Sequence, residues 1–165
     1  MTTQDFIPSD LTELPFGLPG RIYRSPMPFC SRDPNGQLIE RYRCEAISVV
    51  VVLVPDEEIS ASAGKNLPAY YQEWGFEMIH LPMQDYGTPA HSDLRKVVSS
   101  IVQHAEAGRN IAVHCNAGIG RTGLFMTCLA KDVLGLSSDE AIRWVRNFIP
   151  GALETQQQVE VVFSY

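Results

Sequence analysis

At 165 residues, with 45% apolar and 19% charged side chains, the chain matches the common length of one globular domain and is too rich in core-forming residues for wholesale disorder. Its formal net charge of −6 argues against nucleic acid as the main partner, because phosphate backbones demand a basic surface. No apolar run approaches the roughly 18 residues of a membrane span, and the four cysteines, at 30, 44, 115 and 128, have a spacing that suits neither a disulfide framework nor a zinc site.

In chain order, Met1 to Leu18 carries acids and prolines but neither a basic start nor a hydrophobic segment, so no secretory signal is expected. Residues 1–20 read as an extended arm over the body. Arg21 to Ser25 suggests a short strand stopped by Pro26 and Pro28, and Pro34-Asn35-Gly36 is a turn. Leu38 to Cys44 suits a helix, and Ala46–Val54, with its run Val49-Val50-Val51-Val52-Leu53, reads as a central strand buried on both faces. Glu57 to Gly64 is polar and ambiguous. Leu67 to Trp74 suits a helix ended by Gly75, and Phe76 to Leu81 a strand. Leu94, Val97, Val98, Ile101 and Ala105 have helical spacing, with Gly108 as the stop. Asn110 to His114 is a strand and Leu124 to Leu134 a buried helix. Ser137-Ser138-Asp139-Glu140 resembles a capping box opening a helix through Phe148. Pro150-Gly151 breaks it, and Thr155 to Phe163 is the last helix. Strands alternating with helices predict an α/β fold: one domain with a central, mostly parallel sheet, flanked by helices on both faces and binding its ligand at the strand C-termini. Cys128 falls on an apolar helix face and Cys44 precedes a core strand, so both read as structural.

The segment joining the last strand to its helix carries the chemistry: His114-Cys115-Asn116-Ala117-Gly118-Ile119-Gly120-Arg121-Thr122-Gly123. A cysteine and an arginine five residues apart, with two glycines between them, form a loop whose backbone N–H groups can point inward. Closed by a helix N-terminus, such a nest binds a tetrahedral oxyanion. Cys115 would supply a nucleophilic thiolate, since converging amides lower a thiol pKa from about 8.5 by several units. Arg121 would present a planar fork to two phosphoryl oxygens. Gly118 and Gly120 would supply backbone angles and close approach that a Cβ obstructs. Thr122 places a hydroxyl near the sulfur, where it could stabilise the departing thiolate. His114 acts from behind, holding the loop and adjusting the cysteine pKa. The phosphate-binding stretch is thus Asn116, Ala117, Gly118, Ile119, Gly120 and Arg121.

The pattern His-Cys-x5-Arg-Thr resembles the signature of the cysteine-dependent protein tyrosine phosphatase superfamily. From Arg21-Ile22-Tyr23-Arg24-Ser25 to Gly151-Ala152-Leu153-Glu154-Thr155 the chain resembles its small dual-specificity branch, including the cyclin-dependent kinase-associated phosphatase type. The resemblance implies attack by the cysteine, phosphoryl binding by the arginine and a general acid upstream. Asp85, in Leu81-Pro82-Met83-Gln84-Asp85-Tyr86-Gly87-Thr88-Pro89, is the candidate acid: a loop with proline near both ends, one helix before the catalytic strand. Asp93 is read instead as helping to begin the next helix. Tyrosine-specific relatives hold the hydrolytic water with a Gln-Thr-x-x-Gln segment, whose first position is glutamate in some small dual-specificity relatives. Here Glu154-Thr155-Gln156-Gln157-Gln158 matches, with Gln158 at the last position and glutamate at the first, where it either touches the water or starts the helix.

These residues imply a phosphatase for phosphomonoesters, foremost protein phosphotyrosine with phosphoserine and phosphothreonine open, working through a phosphocysteine intermediate. The expected substrate is a phosphorylated protein or peptide, with no cofactor, no metal, no nucleic-acid or membrane partner, and a monomeric cytoplasmic enzyme. The alternatives are a phosphoprotein-binding module without turnover, or a phosphatase for phosphoinositides or RNA 5′-phosphates. No lysine lies within Asn116 to Gly120, which disfavours polyphosphorylated lipids, and Phe29-Cys30-Ser31-Arg32 either lines the entrance or is a surface loop.

Overall fold

A computed structural model describes residues 11–165. Five strands form one sheet: β1 (Thr12–Leu14), β2 (Ile22–Ser25), β3 (Ile47–Val52), β4 (Glu77–His80) and β5 (Asn110–His114). Their order is β1-β2-β5-β3-β4; β1 runs antiparallel to β2 and every other pairing is parallel. Seven helices complete the described chain: α1 (Gln37–Cys44), α2 (Asp56–Ala63), α3 (Leu67–Glu73), α4 (His91–Glu106), α5 (Gly120–Leu134), α6 (Ser138–Arg146) and α7 (Gln156–Ser164). The expected α/β architecture is present. The run Val49 to Leu53 has no exposed surface, as a strand covered on both faces requires.

Three elements differ from the sequence reading. The expected arm over residues 1–20 falls partly on residues 1–10, outside the described residues; of the rest, Thr12–Leu14 adds an edge strand, pairing Thr12 with Arg24 and Leu14 with Ile22. The ambiguous segment 57–64 is helix α2. Its acids Asp56, Glu57 and Glu58 occupy the first turn, where the helix dipole favours negative charge, and Gly64 ends it in a left-handed conformation. Helix α5 begins at Gly120, four residues before the expected start, so Arg121 and Thr122 belong to its first turn.

These departures bear directly on the loop. β5 lies between β2 and β3, so the segment leaving its C-terminus is flanked by the ends of both neighbours. Residues Gly120 through Ala130 of α5 are all buried, packed against α4, α6 and α7. The Ser137–Glu140 capping box is formed, and Thr155 caps α7 through the Gln158 N–H. Cys128 is buried, its thiol pKa pushed up to about 12 by desolvation, whereas Cys44 is exposed at the end of α1 rather than packed in the core. Among the described residues, no helix is long and apolar enough to cross a membrane.

Candidate active site

Residues 115–119 leave β5 and turn back into α5, and the turn is held from outside by its carbonyl groups. Arg24, a fully buried charge on β2, donates from Nε to the Gly118 carbonyl at 3.0 Å and from Nη2 to those of Ala117 and Gly118 at 3.0 and 2.8 Å. The Met27 N–H donates to the Asn116 carbonyl at 2.8 Å. With three successive carbonyls tethered outward, the opposite edge of the peptide planes is left to the interior, where the Gly118 N–H donates to Cys115 Sγ at 3.2 Å. Gly118 has φ +74°, and a Cβ there would collide with Arg24 Nη2 and the Ser25 carbonyl; no other residue fits. Gly120 does not have a positive φ. It is needed for close approach, since a Cβ would sit 2.9 Å from the Glu154 carboxyl carbon.

Behind the loop, His114 is fully buried. Its Nδ1 faces the Cys115 carbonyl at 2.9 Å and must therefore carry the hydrogen, so Nε2 accepts from the Tyr71 hydroxyl at 2.8 Å. Desolvation, with the Arg121 charge adding to it, lowers the His114 pKa to about 4 and keeps the ring neutral. The same burial holds the Tyr71 hydroxyl protonated and able to donate. His114 thus braces the Cys115 carbonyl and is no proton acceptor for the sulfur.

Arg121, 3% exposed, is gripped from the opposite side by Glu58 of α2. Nη1 and Nη2 donate to Oε2 and Oε1, each at 2.7 Å, a bidentate fork; Nη1 also donates to the Met83 carbonyl at 3.0 Å, and Asp85 Oδ1 lies 3.3 Å from Nη2. Burial opposes the charge on Arg121, but the Glu58 hydrogen bonds together with the negative charges of Cys115, Glu58 and Asp85 outweigh it and raise the guanidinium pKa. Reciprocally, the Arg121 hydrogen bonds hold Glu58 below the usual glutamate range, aided by the Asn116 amide at 3.1 Å. Asn116 also donates to Ser62 Oγ at 3.0 Å, so α2 is fastened to the loop at two points.

Cys115, Arg121, Asp85, Glu154 and Gln158 converge on one cavity of about 160 Å³, with the exposed Tyr86 at its mouth. A larger cleft, about 540 Å³ between α2 and α3, contains none of these residues. Asp85 comes from the loop between β4 and α4, its side chain 62% exposed. Glu154 does not cap α7, a role taken by Thr155; its carboxyl group instead packs against Gly120. Desolvation and the nearby Asp85 raise the Glu154 pKa, against the pull of Arg121 and Arg32. Gln158 is buried, with both polar atoms committed: Oε1 accepts from the Glu154 N–H at 2.8 Å and Nε2 donates to the Gly87 carbonyl at 3.3 Å. Thr122 Oγ1 is buried without a hydrogen-bond partner among the described residues. Cys30, in the segment suspected of lining the entrance, is buried against the Asn116 carbonyl, its Sγ 3.8 Å away. Sequence reasoning missed Glu58 and Arg24. The usable signal for Arg24 was a lone charge inside a four-residue strand, a position that demands buried partners.

A parallel sheet that delivers a cysteine loop to the N-terminus of a buried helix is the architecture of the protein tyrosine phosphatases. The structure of kinase associated phosphatase matches with a TM-score of 0.85 at 23% identity, covering 96% of this chain and 94% of that one. The structure of Tk-PTP in the active form matches with a TM-score of 0.74 at 33% identity, covering 88% and 90%. The family model "Tc-R-P: Polymorphic toxin system, DSP-PTPase phosphatase" matches residues 35–133, and the chain belongs to this family within the cysteine-dependent protein tyrosine phosphatase superfamily. Curated relatives include protein tyrosine phosphatase domain-containing protein 1 of Mus musculus, 27% identical over 146 residues, and tyrosine-protein phosphatase cdc-14 of Caenorhabditis elegans, 29% over 150. Those matches take in 80% and 86% of this chain but only 19% and 20% of the relatives, so the chain spans about a fifth of their length.

Proposed function

We propose that the protein hydrolyses phosphomonoesters on proteins, phosphotyrosine foremost, with Cys115 as nucleophile, Arg121 as phosphoryl clamp and Asp85 as general acid. The observation that carries this reading is the Gly118 N–H aimed at Cys115 Sγ within a cavity shared with Arg121 and Asp85. In the first step the thiolate attacks phosphorus in line, the S–P bond forms as the P–O bond breaks, and Asp85 gives its proton to the leaving oxygen. Arg121 and the loop amides neutralise the equatorial oxygens, a task for which the Glu58 fork orients the guanidinium. In the second step water releases phosphate and returns the thiolate, to which the unpartnered Thr122 hydroxyl can donate. His114 holds the loop from behind.

Tyr86 offers an aromatic face at the mouth, which favours an aryl ester. Two carboxylates in the cavity, Asp85 and Glu154, and no lysine between Asn116 and Gly120, oppose a substrate bearing several phosphates. Free thiols at all four cysteines support a reducing compartment such as the cytoplasm. Rapid quench on a phosphotyrosine peptide should trap a phosphorus–sulfur linkage on the wild type. Cys115→Ser should bind vanadate but not turn over; turnover near the wild-type rate would sink the mechanism. Kinetic profiles on phosphotyrosine peptide, phosphothreonine peptide and phosphoinositide should rank the first highest, and a preference for phosphoinositide would reassign the substrate class.

A further inference from the structure

The N–H that faces the sulfur shares its peptide unit with a carbonyl held by a buried cation. Arg24 Nη2 donates to the Ala117 oxygen at 3.0 Å; across the same planar unit, the Gly118 N–H donates to Cys115 Sγ at 3.2 Å. The next unit is held twice: Nε and Nη2 both donate to the Gly118 oxygen, at 3.0 and 2.8 Å, and the N–H of that unit is Ile119's. An unbroken line of donors and acceptors therefore runs from the guanidinium through one peptide to the sulfur.

A charge is not needed merely to tether a carbonyl. The neighbouring loop carbonyl, that of Asn116, is held at 2.8 Å by the neutral Met27 N–H. Arg24 performs the same task with a full cation only 1% exposed, an environment that is expensive for any ion. Its place is fixed by the sheet, where β2 pairs with β5 so that Arg24 lies opposite Val113 and Ser25 opposite His114. Ser25 is itself pinned: its hydroxyl donates to the Pro26 carbonyl at 2.8 Å and accepts from the Tyr42 hydroxyl at 2.5 Å. What a cation adds to a tether is polarisation. A charge-assisted hydrogen bond draws electron density toward the acceptor oxygen and makes the N–H at the far side of the unit a stronger donor.

Resting on the reading of Cys115 as nucleophile, we propose that Arg24 is a positioning residue whose charge, relayed through the Ala117–Gly118 peptide, stabilises the Cys115 thiolate. Arg24 does not line the cavity that holds Cys115 and Arg121, and it acts from behind the loop. When the sulfur attacks and its charge passes to the phosphoryl group, the same strengthened N–H groups serve the phosphoryl oxygens. Arg24 stays charged throughout and exchanges no proton.

The test compares wild type with Arg24→Gln and Arg24→Lys, each first shown to keep native circular dichroism. The quantity measured is the rate of Cys115 alkylation by iodoacetamide at pH 6.5, followed by mass spectrometry of that peptide because Cys44 is also exposed. Arg24→Gln should alkylate about tenfold more slowly. Arg24→Lys, which keeps the charge with fewer hydrogen bonds, should recover most of the rate, and vanadate affinity should follow the same order. A loop that had only come loose would expose the sulfur, so unchanged or faster alkylation in Arg24→Gln would overturn the proposal. Equal rates in the two variants would also overturn it, because the charge would then count for nothing. Should neither variant fold, wild type and Cys115→Ser decide the matter. Coupling is reciprocal, so removing the thiolate should move the Arg24 Nε–H resonance in proton–nitrogen spectra; an unmoved resonance would disprove the relay. A wild type that alkylates at Cys115 yet traps no phosphocysteine would instead remove the nucleophile reading, and with it the part of Arg24 in catalysis.

Discussion

Glu58 is the most informative residue to perturb, because its three hydrogen bonds join α2 to the cysteine loop and the first turn of α5. Glu58→Gln keeps the shape and removes the charge that faces Arg121 through two contacts of 2.7 Å. Breaking one side of a buried ion pair costs about 3–5 kcal/mol. Glu58 keeps 19% exposure, and Arg121 retains the Met83 carbonyl and Asp85 as acceptors, which places the loss lower, at about 2–3 kcal/mol. For a domain of 165 residues that is a fall in Tm of roughly 5–10 °C. A guanidinium no longer held to its fork should also cost about 10²-fold in kcat/KM. Saturating vanadate should restore part of the lost Tm, because a bound oxyanion supplies the acceptors that the amide does not. The pKa of Glu58 is lowered on folding, so its contribution is fully present above the ordinary glutamate value of 4.5 and is lost as pH falls through the depressed folded value. Acid unfolding of Glu58→Gln should accordingly be shallower in that range than that of wild type. A variant within threefold of wild type in kcat/KM, with unchanged Tm, would refute the assigned role.

Asp85→Asn should lower kcat by about 10²- to 10⁴-fold on aryl esters with poor leaving groups, and progressively less as the leaving-group pKa drops; an equal loss across the series would make Asp85 structural. Gly118→Ala should abolish vanadate binding measured by calorimetry, since the methyl group meets Arg24 and Ser25 at a left-handed φ; wild-type affinity would show that the loop does not need this turn. The buried His114 refuses a proton that the unfolded chain accepts from pH 6.5 downward. Stability should therefore fall between about pH 6.5 and 4, by up to about 3 kcal/mol, and denaturant titrations of His114→Asn should lack that slope. An identical pH slope in wild type and variant would show that the ring titrates freely.

The sheet and the cysteine loop were legible because their signals are local. A run of valines has to be covered on both faces, and a Cys-x5-Arg loop carries its glycines and its cation within one turn of chain. The placement of Asp85 on a loop at the cavity was legible through the prolines and glycine around it. Glu58 was not: its partner is 63 residues away, and its short helix buries only Ile59 and Ala63, too little for a period to emerge. Arg24 was hidden in the same way, since the carbonyl it holds is 94 residues distant. The edge strand β1, three residues long, gains its identity from β2 and has none of its own.

Glu154 and Gln158 present a subtler case. The sequence placed both at the water position but could not rank them, because what separates an active side chain from a brace is the set of partners already bound. The Gln158 amide makes one bond at each end, from the Glu154 N–H and to the Gly87 carbonyl, whereas the Glu154 carboxylate beside it makes none among the described residues and faces the cavity. The general lesson concerns availability: residue type proposes a chemistry, and the hydrogen bonds left unmade decide which residue can perform it.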